Sequence, residues 1–168
     1  EYNNQWGLGK IGAKTADDNG YTGSGVRVAV VDTGVNGSHV EFNQTSQTGR
    51  NFSGQTTSLT DINGHGTHVA SIIAGERDAS GMRGVAYDAE IWSYKIFNDS
   101  GVATGVSTDS KWASMVNYHV TDSIKVSNNS WGNSSVEVNE TSQSEITSVY
   151  GSTVGAYQNA VSNGTIFV

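Results

Sequence analysis

Cysteine is absent from this 168-residue sequence. That excludes a disulfide framework, an iron–sulfur cluster and a thiol nucleophile, although it does not fix the compartment. Basic residues are also few, with 9 Lys and Arg against 16 Asp and Glu and a net charge of -7. Affinity for phosphate backbones comes mostly from clustered Lys and Arg, and these are scattered, so nucleic acid is not an expected partner. The acidic balance favours basic substrates, if any preference exists. No run approaches the roughly 18 apolar residues that cross a bilayer, so no membrane-spanning segment is expected. The opening EYNNQWGLGK lacks the shape of a signal peptide, and the expectation is a soluble, already processed chain.

The length suits one domain, or part of one, with a sizeable core. Glycine is abundant, at 21 residues, and many of these flank the motifs below. Asn43, Asn51, Asn98, Asn128, Asn133, Asn139 and Asn163 each begin an Asn-x-Ser/Thr triplet. A chain this rich in Asn, Ser and Thr produces such triplets by chance, which is the preferred reading over glycosylation.

Val26 to Val31 form an apolar run interrupted by Arg27, the pattern of a strand buried on both faces of a parallel sheet, with Asp32 at its end. In HGTHVASIIAG, Val69, Ile72 and Ile73 fall at helical spacing and Gly75 marks a stop. Ile91 to Phe97 reads as a second strand and NDSGVATGVST as a loop after it. Ser107 or Thr108 caps a helix carrying Trp112, Met115, Val116 and His119 or Val120 on one face. SIKVSNNSWG gives a short strand entering a polar loop. Ile146, Val149, Tyr150, Val154, Tyr157, Ala160 and Val161 mark a long amphipathic helix, ended by Asn163-Gly164 as a left-handed cap before TIFV. The stretch NSSVEVNETSQSE reads as an exposed connector. Strands alternating with helices predict an α/β fold with a mostly parallel sheet and right-handed crossovers. Chemistry in such sheets sits beyond the carboxyl ends of the strands, where Asp32 and the NNSWG loop fall.

His65 and His68, in NGHGTHVASIIAG, admit three readings. A zinc pair is disfavoured, because the helical zinc motif spaces its histidines four apart with a glutamate beside the first. Two structural histidines near a helix start is the bland alternative. In the third, His65 is a general base, with an aspartate at a strand end holding its other nitrogen. Asp32 is the candidate for that aspartate, although Asp-Thr-Gly is also ordinary turn chemistry.

Taken together, AVVDTGVNGSHVEF, NGHGTHVASIIAG with GMRGVAYDAEI after it, and VSNNSWG resemble the subtilisin-like serine proteases, in this order and at these separations. The resemblance runs from WGLGKIGA to GTIFV. The missing cysteines and the GVAYDA variant look most like the passenger domains of Gram-negative autotransporter subtilases. The resemblance implies a three-layer α/β fold, of which residues 1–168 would be the N-terminal portion of a single peptidase domain. It implies that Asp32 is the triad aspartate, His65 the base, and His68 a packing histidine behind the site. Ser130, Trp131 and Gly132 match the segment lining the primary specificity pocket and pairing with extended substrate. Gly101, Val102 and Ala103 match the opposite edge, where a peptide would add as a strand.

The family places its serine in a Gly-Thr-Ser-x-Ala segment, and no such segment occurs here. Ser152-Thr153 does not match it. By the same resemblance, the oxyanion asparagine falls beyond Val168. The expectation is therefore a secreted or cell-surface endopeptidase in which this chain supplies Asp32 and His65. A second polypeptide from the same precursor would complete the fold and supply the serine, and polypeptides are the substrates. The alternative is a catalytically inactive fragment, or a pseudo-protease that grips peptides by strand addition. No cofactor is required. Calcium is an open alternative at Glu41 and Asp78, near the GERDASGMRG loop, where plain surface carboxylates are the preferred reading.

Overall fold

The computed structural model describes residues 4–42, 48–55, 58–132 and 143–168, without the side chains of Gln143, Glu145 and Ile146. Residues 133–142 of the NSSVEVNETSQSE stretch, the triplets at Asn43, Asn133 and Asn139, and the side chain of Ile146 therefore lie outside the described residues, while residues 143–145 open a helix, which corrects their reading as connector.

Five parallel strands form one sheet: β1 (Arg27–Asp32), β2 (Gly49–Asn51), β3 (Glu90–Lys95), β4 (Val126–Asn128) and β5 (Ile166–Phe167), in spatial order β2-β3-β1-β4-β5. The apolar run places β1 at the centre. Ala29, Val30 and Val31 are wholly buried, each valine contributing about 1.5–3 kcal/mol of transfer free energy. Alternation along β1 then divides the core. Val28 and Val30 pack with Ile91 against α3 (His65–Ala74), through Ala70 and Ala74. Ala29 and Val31 pack with Tyr94 against α4 (Asp109–Thr121) and α5 (Gln143–Ser162). The result is the expected three-layer α/β architecture.

β3 ends earlier than the apolar run Ile91–Phe97 predicts. The N–H groups of Ile96 and Phe97 both turn to the Asp32 carbonyl, at 2.9 and 3.3 Å, which closes the ladder at Lys95. Thr108 caps α4 as expected, its hydroxyl accepting from Lys111 N at 3.4 Å. Two short N-terminal helices, α1 (Trp6–Lys10) and α2 (Ala13–Asp18), and the three-residue β2 had no counterpart in the sequence reading.

α5 breaks at Tyr150, whose φ of -123° and ψ of 32° leave the helical region. The N–H groups of Ser152 and Thr153 there turn to the Asp109 carboxylate, at 3.1 and 2.9 Å. Hydrogen bonds from Thr153 and Ser152 hold the Asp109 carboxyl at about 2. A side chain on the first turn of α4 thus restarts α5 in the manner of an N-cap. The periodic reading of α5 is corrected by this break: Val149, Tyr150 and Val161 are exposed, and Ala156 and Ala160 make the buried stripe. Ile72 on α3 is likewise exposed rather than core-facing. Gly164, at φ 89°, ends α5 as anticipated, with Thr165 N reaching back to the Ala160 carbonyl at 3.0 Å. No described helix is long and apolar enough to cross a membrane.

Candidate active site

Asp32 closes the central strand with its side chain 1% exposed. A buried carboxylate requires donors. Thr33 N donates to Oδ1 at 2.7 Å, and His65 Nδ1 stands 2.8 Å from the same oxygen. A carboxylate only accepts, so Nδ1 carries the proton and Nε2 is left as the basic nitrogen. The imidazole is about half exposed, at 49%. A buried anion orienting an accessible imidazole is the arrangement of a general base.

The loop before α3 sets this geometry. Gly64 adopts a left-handed conformation at φ 94° to start the helix. Asp61 then gathers its free N–H groups, accepting from Gly64 N and Thr67 N at 2.9 Å each and from the Thr67 hydroxyl at 2.7 Å. It also accepts the Thr33 hydroxyl at 2.9 Å, and that hydroxyl accepts from Gly66 N at 3.0 Å. Burial pushes the Asp61 carboxyl up, but the bonds from Thr67, Gly64 and Thr33 outweigh it and hold the group below the usual carboxylate range. Asp61 and Thr33 thus join the residue after Asp32 to the turn that presents His65. The sequence reading missed both. The available signal was an Asp three residues before the left-handed Gly64, a helix-start pattern.

Gly66 shows how closely α3 approaches β1. A Cβ there would lie 2.1 Å from the Gly34 carbonyl oxygen and 3.2 Å from Asp32 Oδ1. His68, by contrast, is exposed. It lines a cleft of about 420 Å³ with His39, Glu41, Asp61 and Met82, so its reading as a packing histidine is corrected. The helix buries Ala70 and Ser71 at that level and turns position 68 outward.

Ser130, Trp131 and Gly132 follow β4 after Asn129. The Ser130 hydroxyl accepts from Asn128 Nδ2 at 2.9 Å, and Gly132 is exposed. Trp131 sets its ring edge-to-face on Trp112 and Phe97, with centroids 5.2 and 6.0 Å apart. Phe97 leads into the loop carrying Gly101, Val102 and Ala103, so this aromatic contact joins the two anticipated substrate edges. Gly101 lies beside the His65 turn, where a Cβ would sit 3.9 Å from Asn63 Nδ2. The N–H and carbonyl of Val102 are both engaged by Asn98, at 2.9 and 3.0 Å, and Ala103 packs on the core.

Glu41 Oε2 accepts from Met82 N at 3.2 Å and Asp78 Oδ1 from Ser80 N at 2.8 Å. Both carboxylates are engaged with loop backbone, and the described residues bring no three His, Asp or Glu side chains together around a metal position.

The family model for the subtilase family matches residues 23–168. The chain belongs to the subtilase family. Two proteins of Serratia marcescens, each named extracellular serine protease, are 38% and 40% identical to it over 136 residues, which is 79% of this chain and 12% of each protein. Subtilisin Savinase of Lederbergia lenta is 38% identical over 117 residues, covering 68% of this chain and 42% of that protein. This subtilase chain therefore spans less than half the length of these relatives.

Proposed function

We propose that the protein containing these residues is a serine endopeptidase, in which this chain supplies the aspartate and the histidine of an Asp-His-Ser triad. The observation that carries the reading is the 2.8 Å contact between buried Asp32 Oδ1 and half-exposed His65 Nδ1. In this reading His65 Nε2 takes the proton from a serine hydroxyl as its oxygen attacks the scissile carbonyl. The imidazolium, held by Asp32, then gives that proton to the leaving amine, and water resolves the acyl-enzyme by the same steps in reverse order of partner. The serine and the oxyanion donor come from polypeptide outside residues 1–168, and no cofactor takes part. Ser130–Gly132 and Gly101–Ala103 flank the substrate, a polypeptide bound in extended form.

The relatives named extracellular support a secreted or cell-surface location, and an autotransporter passenger domain is the narrower form of the proposal. Both Asp32 and His65 are in place and bonded, which weighs against a module that only grips peptides.

The test is fluorophosphonate labelling of the full-length polypeptide, read by intact mass. Labelling of one serine is expected, slowed by about 10³–10⁴-fold in Asp32→Asn, which reverses the tautomer that His65 needs. Absence of label, or labelling indifferent to Asp32→Asn, overturns the reading.

A further inference from the structure

Lys95 is a charged residue inside the apolar run IWSYKIF, and it is 2% exposed. A buried ammonium is strongly destabilising unless its donors are satisfied and its charge compensated. Its Nζ donates to the Thr33 carbonyl at 2.6 Å, to the Thr60 carbonyl at 3.1 Å and to Asp99 Oδ1 at 3.2 Å. Lys95 is the register partner of Asp32 across the β1–β3 pair, and partners in a parallel ladder project to the same face of the sheet. The ammonium therefore clamps the residue that follows Asp32 to the loop that leads to His65.

The charges around it are unevenly placed. Asp32 is 1% exposed, and among the described residues its Oδ2 finds no hydrogen-bond donor. When His65 is neutral, the carboxylate needs positive charge from elsewhere. Asp99, the anion bonded to Lys95, is about half exposed, at 47%, so water screens it more than it screens buried Asp32. Among the described residues, the titratable groups around the pair are Asp32 on β1, Asp61 before α3, Lys95 at the end of β3, Asp99 beyond it, and His68 one turn along α3.

We propose that Lys95 is a positioning residue of this site, whose ammonium fixes the backbones carrying Asp32 and His65 and compensates the buried Asp32 charge while His65 is neutral. The inference rests on the proposed triad reading. Lys95 places a positive charge on the strand beside Asp32, which opposes a second positive charge on the imidazole. Asp99 tempers that effect. A residue holding the fold alone would alter stability and rate without moving the pH profile.

The experiment measures fluorophosphonate labelling rate against pH in the full-length protein, with thermal melting to confirm folding. Lys95→Met is expected to move the acid limb to higher pH by about half a unit or more, and Lys95→Arg to restore it. Asp99→Asn, at an exposed position, is expected to move the limb the other way, to lower pH. A folded Lys95→Met with an unmoved limb overturns the proposal. If Lys95→Met does not fold, Lys95→Gln, which keeps a hydrogen-bond donor without the charge, decides: a limb shifted to higher pH supports the proposal, and an unmoved limb in the folded variant overturns it. If the wild-type protein takes no label, the triad reading fails, and the same shifts are read from the His65 ring-proton NMR titration in these variants.

Discussion

Asp122 takes Arg50 through two contacts of 2.6 Å, Nε to Oδ2 and Nη2 to Oδ1, and accepts the Tyr94 hydroxyl at 2.6 Å on the same carboxylate. The Arg50 guanidinium lies over the Tyr118 ring, 3.8 Å from its centroid. This group ties β2 and β3 to the end of α4. Asp122→Ala leaves a guanidinium and a phenol without their acceptor, and is expected to cost about 3 kcal/mol, read as a fall in melting temperature at pH 7. Burial pushes the Asp122 carboxyl up, but hydrogen bonds from Arg50 and Tyr94 hold it below the usual value. A carboxyl lowered in the folded state stabilises above its unfolded value near ~3.9 and loses that contribution as pH falls through its folded one. The difference between wild type and Asp122→Ala therefore shrinks towards pH 3 and below. A constant difference would contradict this account.

His119 is expected to make the protein acid-sensitive in a higher window. It is buried between the Tyr94 and Phe167 rings, its Nδ1 donating to the Val116 carbonyl at 3.0 Å and its Nε2 accepting the Ser127 hydroxyl at 2.9 Å. Burial holds it below the usual imidazole value near 6.5, against the opposing pull of the Val116 and Met115 carbonyls and Asp122. The unfolded chain thus binds a proton that the folded one refuses, and stability falls as pH drops from about 7 towards the folded value, by up to about 1.4 kcal/mol per unit. Urea midpoints between pH 7.5 and 5.5 measure the slope. His119→Gln, which keeps an acceptor for Ser127, is expected to flatten it, and an unchanged slope assigns the sensitivity elsewhere.

Gly66→Ala tests the approach of α3 to β1. The new methyl meets the Gly34 carbonyl at 2.1 Å, so the helix must retreat from Asp32. Overpacking of this kind costs about 1–3 kcal/mol. A retreat of about an ångström at His65 slows labelling of the proposed serine by about 10²-fold. Melting temperature and labelling rate report the two effects separately, and a variant that labels at the wild-type rate would show that the contact does not position His65.

The sheet was readable where one physical cause dominated. Val28 to Val31 could be nothing but a doubly buried strand, and Asp32 at its end was visible at once. The same holds for Thr108, a capping side chain before an apolar stripe. α1 escaped notice because WGLGK carries two glycines, which disfavour a helix that only tertiary packing sustains. β2 is three residues whose strand character comes from pairing with β3. On α5, spacing placed Val149 and Tyr150 on the same face as Ala160, but the break at Tyr150 rotates the two halves out of register.

For the site, motif and spacing brought Asp32 and His65 together, while the residues that hold them were hidden. Thr33 and Asp61 lie 28 positions apart and meet only because the fold returns the loop to the strand end. Lys95 left a trace, a cation in an apolar strand, but two of its three acceptors are carbonyl groups that no side-chain pattern reveals. His68 misled because its packing role came from the resemblance alone, and the helix turns position 68 outward.

The contacts described around the Asp32–His65 pair, through Thr33, Asp61, Gly66, Thr67, Lys95 and Asp99, all join residues between 32 and 99. A ribosome makes the chain from its N-terminus, and segments made early are the first free to fold. The proposed acid–base pair and the contacts that hold it are therefore encoded in one block, complete in sequence before Ser130 is translated. On that reading, a nascent chain carries the means to hold the pair in place before it carries the residues proposed to receive a peptide.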